Sequence, residues 1–138
     1  MSTNVVTLTM PAKTEYLVLA RLALAGIARQ VPMDEAVLAD LKLAVTEACG
    51  NAVRHAHGGT QGVVRVRYEM TGETIEIAVE DEGPGIPAVV PAAADVDDLS
   101  EGGMGLAIIR AVVDELQIDG RKGGPGTVVR MRKQLVPA

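Results

Sequence analysis

The order of strands and helices in this chain predicts a two-layer α/β sandwich, with helices on one face of a mainly antiparallel sheet. Apolar and polar residues alternate over 5–10, which is typical of a strand. Apolar residues then recur at helical spacing over 13–31. Further strands and a glycine-opened helix follow in mixed order, so both layers must share one core.

Three helices are predicted. The first covers 13–31, where the apolar residues at helical spacing are Leu17, Leu24, Ile27, Ala28 and Val31. Asp34 is expected to be the N-cap of a second helix that runs to about His57 and stops at Gly58-Gly59. The third helix is expected at about 104–115.

Four strands are predicted after the second helix. Those at 63–70 and 74–80 are joined at Thr71-Gly72-Glu73, where the spacing indicates a hairpin. The last two are expected near 116–121 and 126–133, around a glycine-rich turn. Nothing between them resembles a linker, so residues 1–138 are expected to form a single domain.

Composition narrows the functional classes. The net charge of −5 argues against a nucleic-acid surface, which needs clustered Lys and Arg, so a macromolecular partner is expected to be a protein. No apolar run approaches the roughly 20 residues of a membrane span, and no signal peptide is apparent. A single cysteine, Cys49, permits no internal disulfide. We therefore expect a cytoplasmic protein without a membrane partner.

Three short segments carry the chemistry. They are TEACGNAVRHAH at 46–57, EDEGPGIP at 80–87 and EGGMGLAII at 101–109. Each is weak alone, because Asp-x-Gly-x-Gly turns and glycines before a helix are common. Together they supply a carboxylate, an amide, an acid at a strand end and two glycine turns. An ATP pocket needs that combination.

The second helix has two stripes. At about 100° per residue, its core face is formed by Leu38, Leu41, Val45, Ala48 and Ala52. Glu47, Asn51 and His55 recur every fourth residue and form a polar stripe beside it. Taken alone, that stripe could be a solvated helix shoulder. Cys49 borders the core stripe and is expected to be buried, whereas His57 is expected to cap the helix end.

The three segments resemble the N, G1 and G2 boxes of the gyrase, Hsp90, histidine-kinase and MutL ATPase superfamily, and Thr127 in GGPGTVVR is similar to its closing Gly-Thr motif. More narrowly, residues 10–30, 34–57 and 97–116 resemble bacterial anti-sigma factor serine-protein kinases of the general-stress and sporulation type. This likeness covers nearly the whole chain. It includes the first helix, where nucleotide chemistry demands no particular residues.

The resemblance implies a histidine-kinase-like ATPase fold with an ATP lid at 86–103 and a bound Mg-ATP. The residues implied to hold it are Asn51, Asp81, Gly83, Gly85, Gly103, Gly105 and Thr127. Asn51 would coordinate Mg²⁺ through its amide oxygen, and Glu47 would act as general base. The role of His55 stays open between helix-end structure and function.

The chemistry of the individual residues agrees with these roles. Asp81 follows an apolar strand, and its carboxylate can accept from the adenine amino group. Glycines that open a helix leave backbone N–H groups for phosphates. Residues 86–109 contain no Lys or Arg. Phosphate charge would then be met by Mg²⁺, backbone N–H groups and two candidate arginines, Arg54 and Arg110.

The resemblance also implies partners. A kinase of this type sequesters a sigma factor, and alternatively binds an anti-sigma factor antagonist and phosphorylates it on serine. Arg21, which interrupts the apolar pattern between Leu17 and Leu24, matches an arginine that contacts both partners. A homodimer is expected. Two alternatives stay open: a nucleotide-binding anti-sigma module without kinase activity, and a switch-type serine kinase acting on a stress scaffold.

Overall fold

A computed structural model describes residues 3–55, 62–82, 100–121 and 125–136. Its elements, in chain order, are β1 (Thr3–Pro11), a 3-10 turn (Thr14–Tyr16), α1 (Leu17–Ala28), α2 (Glu35–His55), β2 (Val63–Thr71), β3 (Thr74–Asp81), α3 (Ser100–Val112), β4 (Glu115–Gly120) and β5 (Thr127–Gln134). The described strands form one sheet in the order β1-β2-β3-β5-β4. Each neighbouring pair is antiparallel. The predicted sandwich is confirmed.

One face of the sheet carries the core. Alternate residues of β2 and β3 point to the helices, and those buried there are Val64, Val66, Tyr68, Met70, Ile75, Ile77 and Val79. The core stripe predicted for α2 is confirmed: Leu41, Val45, Ala48 and Ala52 are buried, and Leu38 is partly buried. The core is aliphatic except for Tyr68. Its buried hydroxyl donates to the Ala20 carbonyl at 2.7 Å, which ties α1 to the sheet.

The opposite face of the sheet carries no described helix and is polar. Arginine and glutamate side chains pair across it, as in Arg65 with Glu80 at 2.6 Å and Arg67 with Glu69 at 2.8 Å. The side chains on a face of this kind remain in contact with water, and only the other face of the sheet packs against the core.

Several element ends differ from the predictions, and α1 and α3 differ at both ends: α1 begins at Leu17 instead of 13, and α3 ends at Val112 instead of 115. α1 ends at Ala28 instead of Val31, because Arg29 and Gln30 N–H groups bond to Gly26 and Ile27 in a tighter last turn, and Pro32 disfavours helical geometry before it. α3 begins at Ser100, four residues before the predicted start. Residues 100–103 of the predicted lid are therefore its first turn, and 86–99 lie outside the described residues.

Two local predictions are confirmed. Asp34 caps α2, since its Oδ1 accepts from the Ala36 N–H at 3.0 Å. The β2–β3 hairpin turns at Gly72, whose φ of 61° lies in the left-handed region that glycine tolerates.

The direction of α2 across the sheet positions the site. Its start is held by the Asp34 N–H, which donates to the Leu135 carbonyl at 3.0 Å, and Asp40 pairs with Lys133 at 3.6 Å. α2 therefore runs antiparallel to β5. Asn51 lies about 17 Å beyond Asp40 along the helix. Thr127 lies roughly 20 Å from Lys133, toward the start of β5. The C-terminal half of α2 thus reaches the edge where β3 ends and β5 begins.

Candidate functional site

Asp81 and Thr127 face each other at one edge of the sheet. Asp81 ends β3, Thr127 begins β5, and the two are register partners. Both side chains are buried on the helix side, at 3% and 2% exposure. The sequence placed them 46 positions apart in the chain, and the antiparallel pairing of β3 with β5 brings them together.

The Thr127 hydroxyl is unusual. Among the described residues, it is a buried side-chain oxygen without a hydrogen-bond partner. An unsatisfied buried hydroxyl costs about 1–3 kcal/mol. A polar ligand atom beside Thr127 would remove that cost, so this observation fits a bound nucleotide at this edge.

Gly126 allows the two strand ends to meet. Its φ is +137°, a backbone angle that residues with a side chain rarely adopt. A Cβ at this position would lie 2.1 Å from the Asp81 carbonyl oxygen. Only glycine lets the backbone before Thr127 approach Asp81 so closely. The Gly-Thr pair therefore has a steric reason beside the resemblance that identified Thr127.

Glu47 and Asn51 meet the start of α3. A Cβ on Gly105 would lie 3.1 Å from Glu47 Oε2 and 3.3 Å from Asn51 Nδ2. The predicted polar stripe of α2 is thus not a solvated shoulder: Asn51 is buried at 5% exposure, and Glu47 is partly buried beneath α3. Gly105 provides the space in which both side chains face one cleft.

The glycine segment contributes in two ways. The first four N–H groups of a helix have no partner within it. In α3, which begins at Ser100, they include the N–H groups of residues 100–102, among them Gly102, and Gly103 follows directly. Gly105 lies beyond that turn, and its missing side chain leaves space for Glu47 and Asn51. Gly83 and Gly85 lie outside the described residues.

The two candidate arginines are placed differently. Arg54 Nη2 donates to Asn51 Oδ1, so the predicted metal-ligating oxygen already faces a cation. Arg110 is exposed in the last turn of α3, about 15 Å along the helix from Ser100. Arg54 therefore remains a candidate for phosphate contact, and the geometry disfavours Arg110.

Three further predictions concern single side chains. Cys49 is fully buried, and burial raises the pKa of its thiol to about 12, so it is an apolar core residue as predicted. His55 ends α2, but its side chain and His57 lie outside the described part. Arg21 is exposed, and it does not interrupt the buried face, because that face passes through Ala20, Leu24 and Ile27.

A metal at this site would need oxygens from outside the protein. Within 3–55, 62–82, 100–121 and 125–136, no group of three or more His, Cys, Asp or Glu side chains could hold a metal ion. Asn51 alone, with phosphate oxygens and water, is a ligand set that Mg²⁺ accepts. No helix in the same ranges is long and apolar enough to cross a membrane.

Sequence reasoning missed Arg121. It follows β4, and its guanidinium lies 3.3 Å from Glu80 and 3.4 Å from Glu82, the neighbours of Asp81. No motif marks this residue. Only the pairing of β4, β5 and β3 in space could have identified it.

Comparison with known proteins places these features in a family. The family model of the histidine kinase-like ATPase domain matches residues 10–133. A serine-protein kinase RsbW from Bacillus pumilus is 34% identical over 143 residues, covering 96% of this chain and 86% of the relative. RsbW from Bacillus licheniformis is 39% identical over 137 residues, covering 91% and 82%.

Solved structures share the fold. The RsbU and RsbW domains of a Mycobacterium tuberculosis protein align with a TM-score of 0.71 at 22% identity, over 98% of this chain and 34% of that longer chain. The catalytic domain of histidine kinase ThkA aligns with a TM-score of 0.62 at 16% identity, over 98% and 97%. From the family model and the sequence relatives, we conclude that this chain belongs to the histidine kinase-like ATPase family and, within it, to the RsbW serine-protein kinases.

Proposed function

We propose that this protein is a Mg-ATP-dependent protein serine kinase that also acts as an anti-sigma factor. One observation carries the nucleotide part. Among the described residues the buried polar side chains are Asn51, Asp81 and Thr127, and each was predicted as a nucleotide ligand. Polar side chains are seldom buried in an aliphatic core without a use. The Thr127 hydroxyl has no hydrogen-bond partner among the described residues, and a bound ATP would supply one.

Each residue has a role set by its position. Asp81 at the end of β3 accepts from the adenine amino group, and the Thr127 hydroxyl opposite it bonds to the same nucleotide. Backbone N–H groups in the first turn of α3 hold phosphate oxygens. Asn51 Oδ1, which now accepts from Arg54, would hold Mg²⁺. When bound, Mg-ATP supplies the phosphoryl group and the divalent charge that neutralises it.

Glu47 is proposed as the general base. It lies one turn before Asn51 on α2, and its carboxylate lies beside Gly105, just after the first turn of α3. From there Glu47 would accept the proton of a serine hydroxyl as that oxygen attacks the γ-phosphorus of ATP, while the bond from this phosphorus to the β–γ bridging oxygen breaks and ADP leaves. The remaining polar groups hold and orient the reactants, which is most of what phosphoryl transfer requires.

The partners are proposed from the family and from the surface of α1. The serine belongs to an anti-sigma factor antagonist, and a sigma factor competes with it. Support comes from Arg21, which is exposed beside Val18 and Leu22 at helical spacing. A surface that combines a guanidinium with exposed apolar side chains suits protein contacts. We further propose a cytoplasmic homodimer.

Glu47→Ala tests the kinase assignment. Phosphotransfer from Mg-ATP to the serine of the antagonist should fall by about 10²–10⁴-fold, because a general base lowers the reaction barrier. ATP affinity should change little, since Glu47 contributes mainly to the transition state. Radiolabel transfer and calorimetry measure the two effects.

Glu35→Ala is the matched control, because Glu35 is an exposed acid in the first turn of the same helix. It should leave both quantities unchanged. Full transfer by Glu47→Ala would contradict the role of Glu47. A wild-type protein that binds ATP and sigma factor without transferring phosphate would be the nucleotide-binding module, and transfer to a stress scaffold instead would identify the switch-type kinase.

A further inference from the structure

Arg121 joins two strand ends that carry the candidate site. Its guanidinium lies 3.3 Å from Glu80 Oε2 and 3.4 Å from Glu82 Oε2. Its Nη1 donates to the Pro125 carbonyl at 3.2 Å, and its own N–H donates to the Gly126 carbonyl at 3.0 Å. One residue therefore ties the end of β3 to the turn that leads into β5.

These contacts lie behind the site. Side chains alternate along a strand, so Glu80 points to the helix-free face while Asp81 points to the helices. Because the Arg121 guanidinium pairs with Glu80, it also lies on that outer face. It cannot replace Asp81 or Thr127 as a ligand, but it can fix the backbone from which both project.

There is no space for a side chain at Gly126. A Cβ there would meet the Asp81 carbonyl at 2.1 Å and Arg121 Cδ at 3.0 Å. The stem of Arg121 thus packs over the same glycine that permits the strand ends to approach. Loss of this side chain would leave the turn held by fewer contacts just beside Thr127.

We propose that Arg121 is a positioning residue of the nucleotide site, which sets the distance between Asp81 and Thr127 by clamping Glu80 and Glu82 to the β4–β5 turn. The inference rests on the proposed function, because it assigns Arg121 to the site that binds ATP. An isolated exposed ion pair contributes little. The Arg121 side chain is only 23% exposed and joins two carboxylates and a carbonyl, so it orders the turn more than a single pair would.

Arg121→Met tests the clamp. The variant keeps the stem and removes the charge, and Glu80 retains Arg65 as a partner. We expect calorimetry to show ATP affinity reduced by about tenfold, or ~1.4 kcal/mol. ADP affinity should fall by the same factor, because the adenine site and not the phosphate site is disturbed. Arg121→Lys should restore part of the loss.

Arg67→Met is the control, since Arg67 pairs with Glu69 on the same outer face but away from the strand ends. It should leave nucleotide affinity unchanged. In the ligand-free protein, amides of residues 126–128 should exchange with deuterium faster in Arg121→Met than in Arg67→Met.

Three outcomes contradict the inference. Arg121→Met could bind ATP as tightly as Arg67→Met does. A loss confined to ATP and absent for ADP would show that Arg121 touches the terminal phosphate instead. Equal amide exchange in both variants would show that the clamp does not order the turn. A wild-type protein that fails to bind ATP contradicts the proposed function itself, and the exchange comparison still judges the clamp separately.

Discussion

At the residue scale, the structure buries three polar residues that the sequence marked as candidates, Asn51, Asp81 and Thr127, and it gives them neighbours that the sequence did not predict. Asp81 became a candidate because its segment occurs together with the other two; alone, an acid before a glycine turn is an ordinary turn. Its pairing with Thr127 depends on the β3–β5 register, which no local pattern encodes. Arg121 and the Arg54–Asn51 bond were beyond prediction for a related reason. Long side chains have many rotamers, and tertiary distances select among them.

Asp81→Asn should weaken ATP binding by roughly 1–3 kcal/mol, which calorimetry measures directly. The amide can present N–H toward the adenine amino group, so an acceptor is replaced by a competing donor. Asp119→Asn is the matched control, because Asp119 lies on β4 and pairs with Arg130 on the polar face. Unchanged ATP affinity in Asp81→Asn would refute the adenine contact.

At the element scale, α2 was predictable in detail and α3 was not. The 3.6-residue period separates the core stripe of α2 from its Glu47–Asn51 stripe, and both stripes lie where the period puts them. The start of α3 was placed four residues late, because Gly102, Gly103 and Gly105 have low helix propensity. Packing against α2 outweighs that propensity. Gly105 then leaves space for Glu47 and Asn51, whereas Gly102 and Gly103 lie in the first turn of the helix.

Gly105→Ala should separate stability from activity. Alanine in a helix interior is favoured over glycine by about 1 kcal/mol, but here its Cβ would crowd Glu47 and Asn51 at 3.1 and 3.3 Å. Those are movable side chains, so we expect thermal stability near the wild-type value. If Glu47 is the general base and Asn51 the metal ligand, as proposed, their displacement should reduce phosphotransfer on the order of tenfold to a hundredfold.

Gly26→Ala is the control for that variant. Gly26 is also helical, and a Cβ there meets nothing within 4 Å. This substitution should raise the free energy of unfolding by roughly 0.5–1 kcal/mol and leave phosphotransfer intact. Wild-type transfer in Gly105→Ala would show that the space above Glu47 and Asn51 has no catalytic importance.

At the scale of the whole molecule, the order of the elements was enough to predict the fold class. Which side chains are exposed on the surface depends instead on tertiary packing. Hairpin pairing of β2 with β3 is local and was predicted; the insertion of β5 between β3 and β4 is not local. The structure also leaves apolar side chains exposed on β1, the 3-10 turn and α1, at Val5, Val6, Tyr16, Val18, Leu19 and Leu22. β1 is an edge strand of the sheet. Such a surface favours association with other proteins.

Arg21→Glu tests whether that surface is shared by the partners. Arg21 offers a rigid fork of donors that suits a carboxylate on either partner, so reversing its charge should weaken both antagonist and sigma binding. The expected loss is at least about tenfold in each affinity, since truncating an interface arginine at a hot spot costs about 2 kcal/mol or more. ATP affinity should stay unchanged, because Arg21 lies on α1 and the nucleotide ligands lie on α2, α3 and the sheet.

Arg29→Glu is the control, because it makes the same charge reversal at the exposed C-terminal end of α1, about 12 Å along the helix. Normal binding of both partners by Arg21→Glu would contradict the shared surface. Light scattering of the wild-type protein addresses the dimer separately: a monomer at micromolar concentration would contradict it. If instead the wild type is a dimer and Arg21→Glu remains one while losing both partners, then dimerisation and partner binding use different parts of the exposed apolar surface.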